Sequence, residues 1–319
     1  MKYYYLAMKK EQLRVIFMGT PNISAKVFEA MIVDGYNFVG LIAQPDRPVG
    51  RHGELEKVPT KVVAEKYNIP VFQPLKIRKE YEFVKELNPD IIITLAYGQI
   101  VPQGLLDIPK YGCLNLHGSL LPKYRGAAPI QFALINNEKV TGMTLMEMID
   151  KMDAGRMYAK KEVAIDENDN TTSLFEKMGE AAKQLILEAL PKYLDGDLSG
   201  ETQDESLATF CPTIKPEQEK INFDLAIREI HGWIRGLSDQ PGAYFLMDDL
   251  KLKVFKAQVI NNNISGKIGE IVKADKFGLV VQCKDGQLAL QEVQKEGKKR
   301  MDSKSFLNGN QGLLGKILK

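Results

Sequence analysis

Leu13-Arg14-Val15-Ile16-Phe17-Met18-Gly19-Thr20-Pro21-Asn22 is a short apolar run with β-branched residues, stopped by a glycine and followed at once by a helical pattern over Ile23–Ile32. A second apolar run follows at Phe38–Ala43, helical patterns at Val58–Tyr67 and Tyr81–Leu87, and a buried-strand pattern at Asp90–Leu95. This β-α-β alternation indicates an α/β, Rossmann-like fold with a mostly parallel sheet. The first βα turn has no Gly-x-Gly-x-x-Gly, and Pro21 removes an amide that could cradle phosphate, which argues against an NAD-dependent oxidoreductase. Thr20 is expected to cap the first helix, with Pro21 at its first position.

Further along, Cys113-Leu114-Asn115-Leu116-His117-Gly118-Ser119-Leu120-Leu121-Pro122 reads as a strand stopped by Gly118 and Pro122. Alternation puts Asn115 and His117 on one face, at the carboxyl end where open α/β sheets bind ligands. Asp153-Ala154-Gly155 follows about thirty residues later, in a loop expected to join two antiparallel strands, Met143–Met148 and Met157–Val163. An amide, an imidazole and a carboxylate without a nucleophile suit acyl transfer between two bound substrates. Asn115 can donate to an oxyanion, His117 can donate or shuttle a proton, and Asp153 can fix the imidazole tautomer. Alone, Asn-x-His is more often a polar strand end, and Asp before Gly is ordinary turn chemistry.

A long amphipathic helix over Leu174–Leu190 closes this domain, and residues 191–214, rich in Asp, Gly, Ser, Thr and Glu, read as a linker. Beyond it come a helix at Leu225–Leu237 and short strands with Gly turns over Gly242–Lys319, which suggest a small β-barrel. The expected organisation is therefore 11–190, linker 191–214, and 215–319.

The 319 residues and 44% hydrophobic content suffice for two cores, and no apolar run approaches the roughly 18 residues of a membrane span. The first ten residues have too short an apolar core for a signal peptide, so a cytoplasmic enzyme without a membrane partner is expected. Cys113, Cys211 and Cys283 never form Cys-x-x-Cys, and His52, His117 and His231 are scattered, so no metal is expected. Residues 211–319 hold 18 Lys and Arg against 13 Asp and Glu, whereas the preceding 210 hold 25 against 28. The basic excess is densest at Lys295-Glu296-Gly297-Lys298-Lys299-Arg300. Such a run is usually solvated surface.

Leu120-Leu121-Pro122-Lys123-Tyr124-Arg125-Gly126-Ala127-Ala128-Pro129-Ile130-Gln131 resembles the formyltransferase family that uses 10-formyltetrahydrofolate, and its Arg-Gly-Ala-Ala-Pro-Ile-Gln run is similar to members acting on methionyl-tRNA. Val15–Pro21, Gln44–Arg51, Ala96-Tyr97-Gly98 and Thr141–Thr144 match the same family. Ile234–Leu237 and Pro241–Tyr244 are the best-preserved pieces of the C-terminal third. The resemblance implies formyl transfer to the α-amino group of methionine on initiator tRNA, by a monomer with an OB-like barrel as its second domain. It also implies Asn115, His117 and Asp153 as catalytic residues, and folate contacts from Ser119, Leu120, Leu121 and Pro122, with Tyr97 and Gly98 lining the same pocket. Arg51 is the candidate for gripping the tRNA acceptor end. The family context assigns Lys298, Lys299 and Arg300 to the phosphate backbone, with a salt-dependent contribution. The chain departs from the pattern after Arg51, where His52-Gly53-Glu54-Leu55-Glu56 replaces further basic residues. Other formyl-folate transferases or hydrolases, and a non-catalytic tRNA- or folate-binding protein, are the alternatives. Among the first, a purine-pathway formyltransferase is typically a single domain, and the last has no need of the intact trio.

Overall fold

The computed structural model describes residues 10–49, 53–261, 263–275 and 278–319, which fall into two compact units. The first holds the described residues up to 126 together with 141–163 and 175–210; the second holds 127–140, 164–174 and 211–319. The helices, in chain order, are α1 Asn22–Val33, α2 Pro59–Lys66, α3 Glu82–Leu87, α4 Gln103–Leu106, α5 Pro129–Ile135, α6 Thr171–Leu194, α7 Ile227–Leu237 and α8 Ser303–Asn308.

Seven strands build the first sheet: β1 Arg14–Gly19, β2 Asn37–Ile42, β3 Val71–Phe72, β4 Ile91–Leu95, β5 Cys113–His117, β6 Val140–Glu147 and β7 Met157–Ala164. Their order is β7-β6-β5-β4-β1-β2-β3. β1 pairs in parallel with β2 and β4, β2 with β3, and β4 with β5, while β6 runs antiparallel to β5. The mostly parallel sheet expected from the alternation is present. Val15, Ile16, Phe17 and Met18 are all buried, so both faces of β1 are covered, as a parallel sheet requires. Phe17 stacks on Phe28 of α1 with ring centroids 4.9 Å apart.

After β1 the chain builds β2 and β3 on one side, then returns to β4 on the other, so strand order reverses between β1 and β4. Ligands of open α/β sheets bind beyond the carboxyl ends of the strands at such a reversal. Gly19 is required there, because a Cβ would sit 2.7 Å from the Leu95 carbonyl oxygen. Thr20 does not cap α1, contrary to the expectation from Thr-Pro; the cap position is Pro21, without a side-chain bond. The Thr20 hydroxyl instead donates to the Tyr97 carbonyl (3.2 Å) and accepts from the Gln44 amide (3.2 Å), joining the loops that follow three strands. Long-range backbone partners outcompete the local cap because the reversal brings three strand ends together.

The second unit carries an antiparallel sheet of β8 Ala243–Met247, β9 Leu250–Asn261, β10 Ile271–Asp275, β11 Gly278–Cys283, β12 Gly286–Lys295 and β13 Met301–Asp302. The order is β8-β9-β12-β11-β10, with β13 on β12. Its edges are bridged by the chain end: Lys319 exchanges backbone bonds with Leu246 on β8 (2.7 and 3.0 Å), while Leu318 donates to Gly269 and Lys316 accepts from Ile271 (both 2.8 Å). Leu252, Val254, Leu279, Val281, Leu288 and Leu290 form its core with Ile230 and Ile234 of α7. Against α7 lies α5. Gly232 and Gly236 let them approach, since a Cβ on Gly232 would meet the Ile135 carbonyl at 2.3 Å.

Candidate active site

β5 is held in register on both sides, Asn115 opposite Thr94 of β4 and Met146 of β6, His117 opposite Thr144 of β6. Gly118 releases the chain into a turn that Thr144 organises: its hydroxyl donates to the Ser119 carbonyl (2.6 Å) and accepts from the Leu121 amide (3.2 Å). The Ser119 hydroxyl donates to the Lys123 carbonyl at 2.6 Å. Ser119 and Leu121 are buried, whereas Leu120 and Pro122 are half-buried. Any partner of the Ser119–Pro122 segment thus meets its outer residues and backbone, the hydroxyl being already bonded within the turn.

His117 is 5% exposed, and its Nε2 lies 2.8 Å from the Tyr124 carbonyl oxygen. A carbonyl only accepts, so Nε2 carries the hydrogen and the ring orientation is set by backbone. The other nitrogen, Nδ1, faces Asp153 Oδ1 at 3.6 Å. The tautomer is therefore set from the Tyr124 side, a partner that sequence patterns do not show. Asn115 is half-buried on the same strand face, and its amide has no side-chain hydrogen bond among the described residues. It is a donor available to a ligand.

Asp153 sits in the turn between β6 and β7 at φ +50°, a left-handed conformation that Asp tolerates better than most residues. Its Oδ2 accepts from the Gly126 amide at 2.8 Å. Gly155 is obligatory, because a Cβ would fall 2.0 Å from the Glu147 carbonyl oxygen. Beneath the turn lies Arg125, with its side chain fully buried. The guanidinium donates to Gln203 Oε1 (3.0 and 2.8 Å) and to both oxygens of Glu205 (2.9 and 3.2 Å). These bonds, with Lys151 at 2.7 Å, hold the Glu205 carboxyl down to about 2. Gln203 Nε2 in turn donates to the carbonyls of Asp153 and Gly155, both at 2.8 Å. Arg125 was visible within the family-like run; Gln203, in a segment that composition marks only as a linker, left no signal.

Tyr97 supplies backbone rather than its ring. The carbonyl accepts from Thr20 and from Gln44 Nε2 (3.1 Å), while the phenol is buried in the apolar cluster with Ile77 and Leu105. Gly98, at φ +93°, completes that loop. Arg51 lies outside the described residues. Lys298 and Lys299 are exposed. Arg300 is engaged, pairing with Asp239 and Glu292 and lying over the Phe255 ring at 4.3 Å from its centroid. All three cysteines are buried, and no three or more His, Cys, Asp or Glu side chains gather in a metal-binding arrangement among the described residues. No described helix is long and apolar enough to cross a membrane.

Comparison with known proteins bears on this geometry. Residues 13–190 match the formyl transferase family model, and residues 213–311 match that of the formyl transferase C-terminal domain. The chain is 44% identical over 300 residues to a methionyl-tRNA formyltransferase of Bacillus cytotoxicus, covering 93% of this chain and 96% of that protein. It is 42% identical over 308 residues to that of Bacillus subtilis, covering 96% and 97%. Among solved structures, an N-formyltransferase from Helicobacter canadensis bound to folinic acid and dTDP-3-aminofucose shares the fold, with a TM-score of 0.68 at 20% identity over 89% of this chain and 99% of that one. HypX from Aquifex aeolicus, in complex with tetrahydrofolic acid, aligns with a TM-score of 0.66 at 16% identity over 95% of this chain, which spans 48% of that protein.

Proposed function

This chain belongs to the formyl transferase family, and on that premise we infer that it transfers a formyl group from 10-formyltetrahydrofolate to the α-amino group of methionine esterified to initiator tRNA. The observation that carries the chemistry is the meeting of His117 and Asp153, 36 positions apart in the chain, near the carboxyl end of β5, where the Asn115 amide has no side-chain hydrogen bond among the described residues. No nucleophilic side chain is needed. A model α-amino group has a pKa of about 7.7–8.0, so a usable fraction is neutral and attacks the formyl carbon directly.

In this reading the amine nitrogen forms a bond to the formyl carbon, and the carbonyl oxygen becomes an oxyanion that Asn115 receives as donor. The ammonium must then lose a proton, and the folate nitrogen must gain one as its bond to carbon breaks. His117 and Asp153 handle that proton: with Nε2–H committed to Tyr124, Nδ1 is the nitrogen that exchanges, and a proton there draws Nδ1 and Oδ1 into a charge-assisted hydrogen bond. The half-buried Leu120 and Pro122, together with the Tyr97-Gly98 backbone, provide the folate pocket. Ser119 and Leu121 shape it from beneath.

Residues 11–190 form the formyl-transfer domain in this proposal, and 215–319 act on tRNA, with 191–214 between them. The second sheet is read as OB-like: bridging of its edges by Lys316–Lys319 supports a barrel completed by the chain end. Arg51, Lys298 and Lys299 are proposed phosphate contacts. Arg300 would join them by giving up its pairs with Asp239 and Glu292. A cytoplasmic monomer fits these roles. The direct test is formylation of methionyl-tRNA with 10-formyltetrahydrofolate, initiator against elongator. Transfer to the initiator is expected; absence of transfer to either would refute the reading.

A further inference from the structure

We propose that Gln203 is a positioning residue for formyl transfer, a two-sided clamp that ties the Asp153 turn to the buried Arg125 guanidinium. The inference rests on the reading of Asp153 as a catalytic carboxylate. Gln203 is 5% exposed, and every polar atom of its side chain is used. Its oxygen takes two hydrogen bonds from Arg125, and its nitrogen gives two, to the carbonyls of Asp153 and Gly155. The amide orientation is forced, because carbonyls only accept and guanidinium only donates. Glu cannot supply the nitrogen donors, Met supplies neither, and Asn is one methylene short.

The clamp acts where the turn needs it. Asp153 is held at positive φ, and in that conformation its carboxylate reaches His117 and the Gly126 amide. The two carbonyls that Gln203 holds flank Ala154, so they set the direction in which the Asp153 side chain leaves the turn. On the other side Arg125 precedes Gly126, whose amide binds the same carboxylate. One short path therefore runs from Asp153 Oδ2 through Gly126 and Arg125 to Gln203, and back to the Asp153 carbonyl. A displacement of about 1 Å at a reacting group costs on the order of 10²-fold, so this closed path bears on turnover more than on substrate binding.

The test is a double-mutant cycle in the full chain, followed by initial rates of methionyl-tRNA formylation and by thermal melting. Gln203→Met should lower kcat by about 10- to 100-fold, leave KM for 10-formyltetrahydrofolate and for methionyl-tRNA within about threefold, and leave the protein folded. Gln203→Glu keeps an acceptor for Arg125 and loses the donors; it should be similarly slow in a chain whose buried guanidinium stays paired. Asp153→Asn should be slower still, and Gln203→Met added to it should cost little more, since a positioning residue has nothing left to position. Multiplicative losses in the double variant, or wild-type turnover in folded Gln203→Met and Gln203→Glu beside an impaired Asp153→Asn, would overturn the clamp alone. Full turnover in Asp153→Asn would overturn the catalytic reading beneath it.

Discussion

At the end of β5 the charged and polar groups are buried or half-buried and, Asn115 apart, held by hydrogen bonds, whereas in the turn after β12 they stand in solvent. His117 is tied to the Tyr124 carbonyl, Asp153 to the Gly126 amide, and Arg125 to Gln203 and Glu205. Lys298 and Lys299 are exposed, whereas Arg300 beside them is drawn into ion pairs. The difference follows from what each region is proposed to do. Proton transfer and oxyanion binding need atoms fixed to a fraction of an ångström, and burial with full hydrogen bonding provides that. Attraction to a phosphate backbone needs only mobile charge at the surface.

The largest effects should come from the buried end. His117→Ala and Asp153→Ala should slow formylation by roughly 10²–10⁴-fold. Asn115→Ala should slow it by on the order of 10²–10³-fold, as for one oxyanion donor. Single-turnover rates on folded variants decide the matter, and a near-normal rate for His117→Ala would break the contrast at its strongest point.

Gly155→Ala tests geometry without removing a functional group. Its Cβ would meet the Glu147 carbonyl at 2.0 Å, so the turn has to move, and turnover should fall about 10²-fold with every chemical group still present. A melting temperature measured alongside separates displacement of the turn from unfolding.

His231 asks whether burial, rather than the unit it occurs in, constrains a charge. It lies on α7 in the second unit, its Nε2 donates to the Ala257 carbonyl at 3.1 Å, and Nδ1 has no hydrogen-bond partner among the described residues. Burial first, and then the Arg235 guanidinium, push its pKa from 6.5 down to about 4. The folded state thus holds the proton less tightly than the unfolded one. Stability from this group is fully present above pH 6.5 and is lost as the pH falls from there to about 4, which gives a loss on the order of 2 kcal/mol at pH 5. Melting of the wild type at pH 7 and 5, against His231→Gln, should show the variant to be less sensitive; equal slopes would remove His231 from the account.

Replacing Lys298 and Lys299 together by Ala should raise KM for methionyl-tRNA only a few-fold and lower the slope of log K against log salt by up to about 2. An unchanged slope would assign these lysines to plain surface. Arg300→Gln should cost about 1 kcal/mol of stability or less, because its ion pairs are partly exposed and its contact with Phe255 is modest. A thermal melt would detect that loss, and a tRNA effect exceeding that of the two lysines would show that Arg300 leaves its pairs to bind phosphate.

Much of this molecule could be read along the chain. The runs at 13–18, 38–43 and 90–95 became β1, β2 and β4 within a residue or two, because a strand covered on both faces is apolar throughout and shows itself locally. Val71–Phe72 and the single-turn α4 escaped notice, being too short for either period to repeat. Thr20 followed local capping preference on paper and long-range bonding in the fold. Residues 127–140 read as part of the first domain, yet they are grouped with the second, where α5 packs on the glycines of α7.

The sequence by itself determined the α/β class, the resemblance, and the same-face placement of Asn115 and His117, since all three depend on residue type and a period of two. Only the tertiary structure decided that the Tyr124 carbonyl holds His117, that Asp153 leaves its turn at positive φ, and that Gln203, 50 positions further on, grips that turn. Those contacts are made through backbone carbonyls, across a turn for His117 and across 50 positions for Gln203. Every residue carries that group, so nothing in the order of side chains marks which ones will meet.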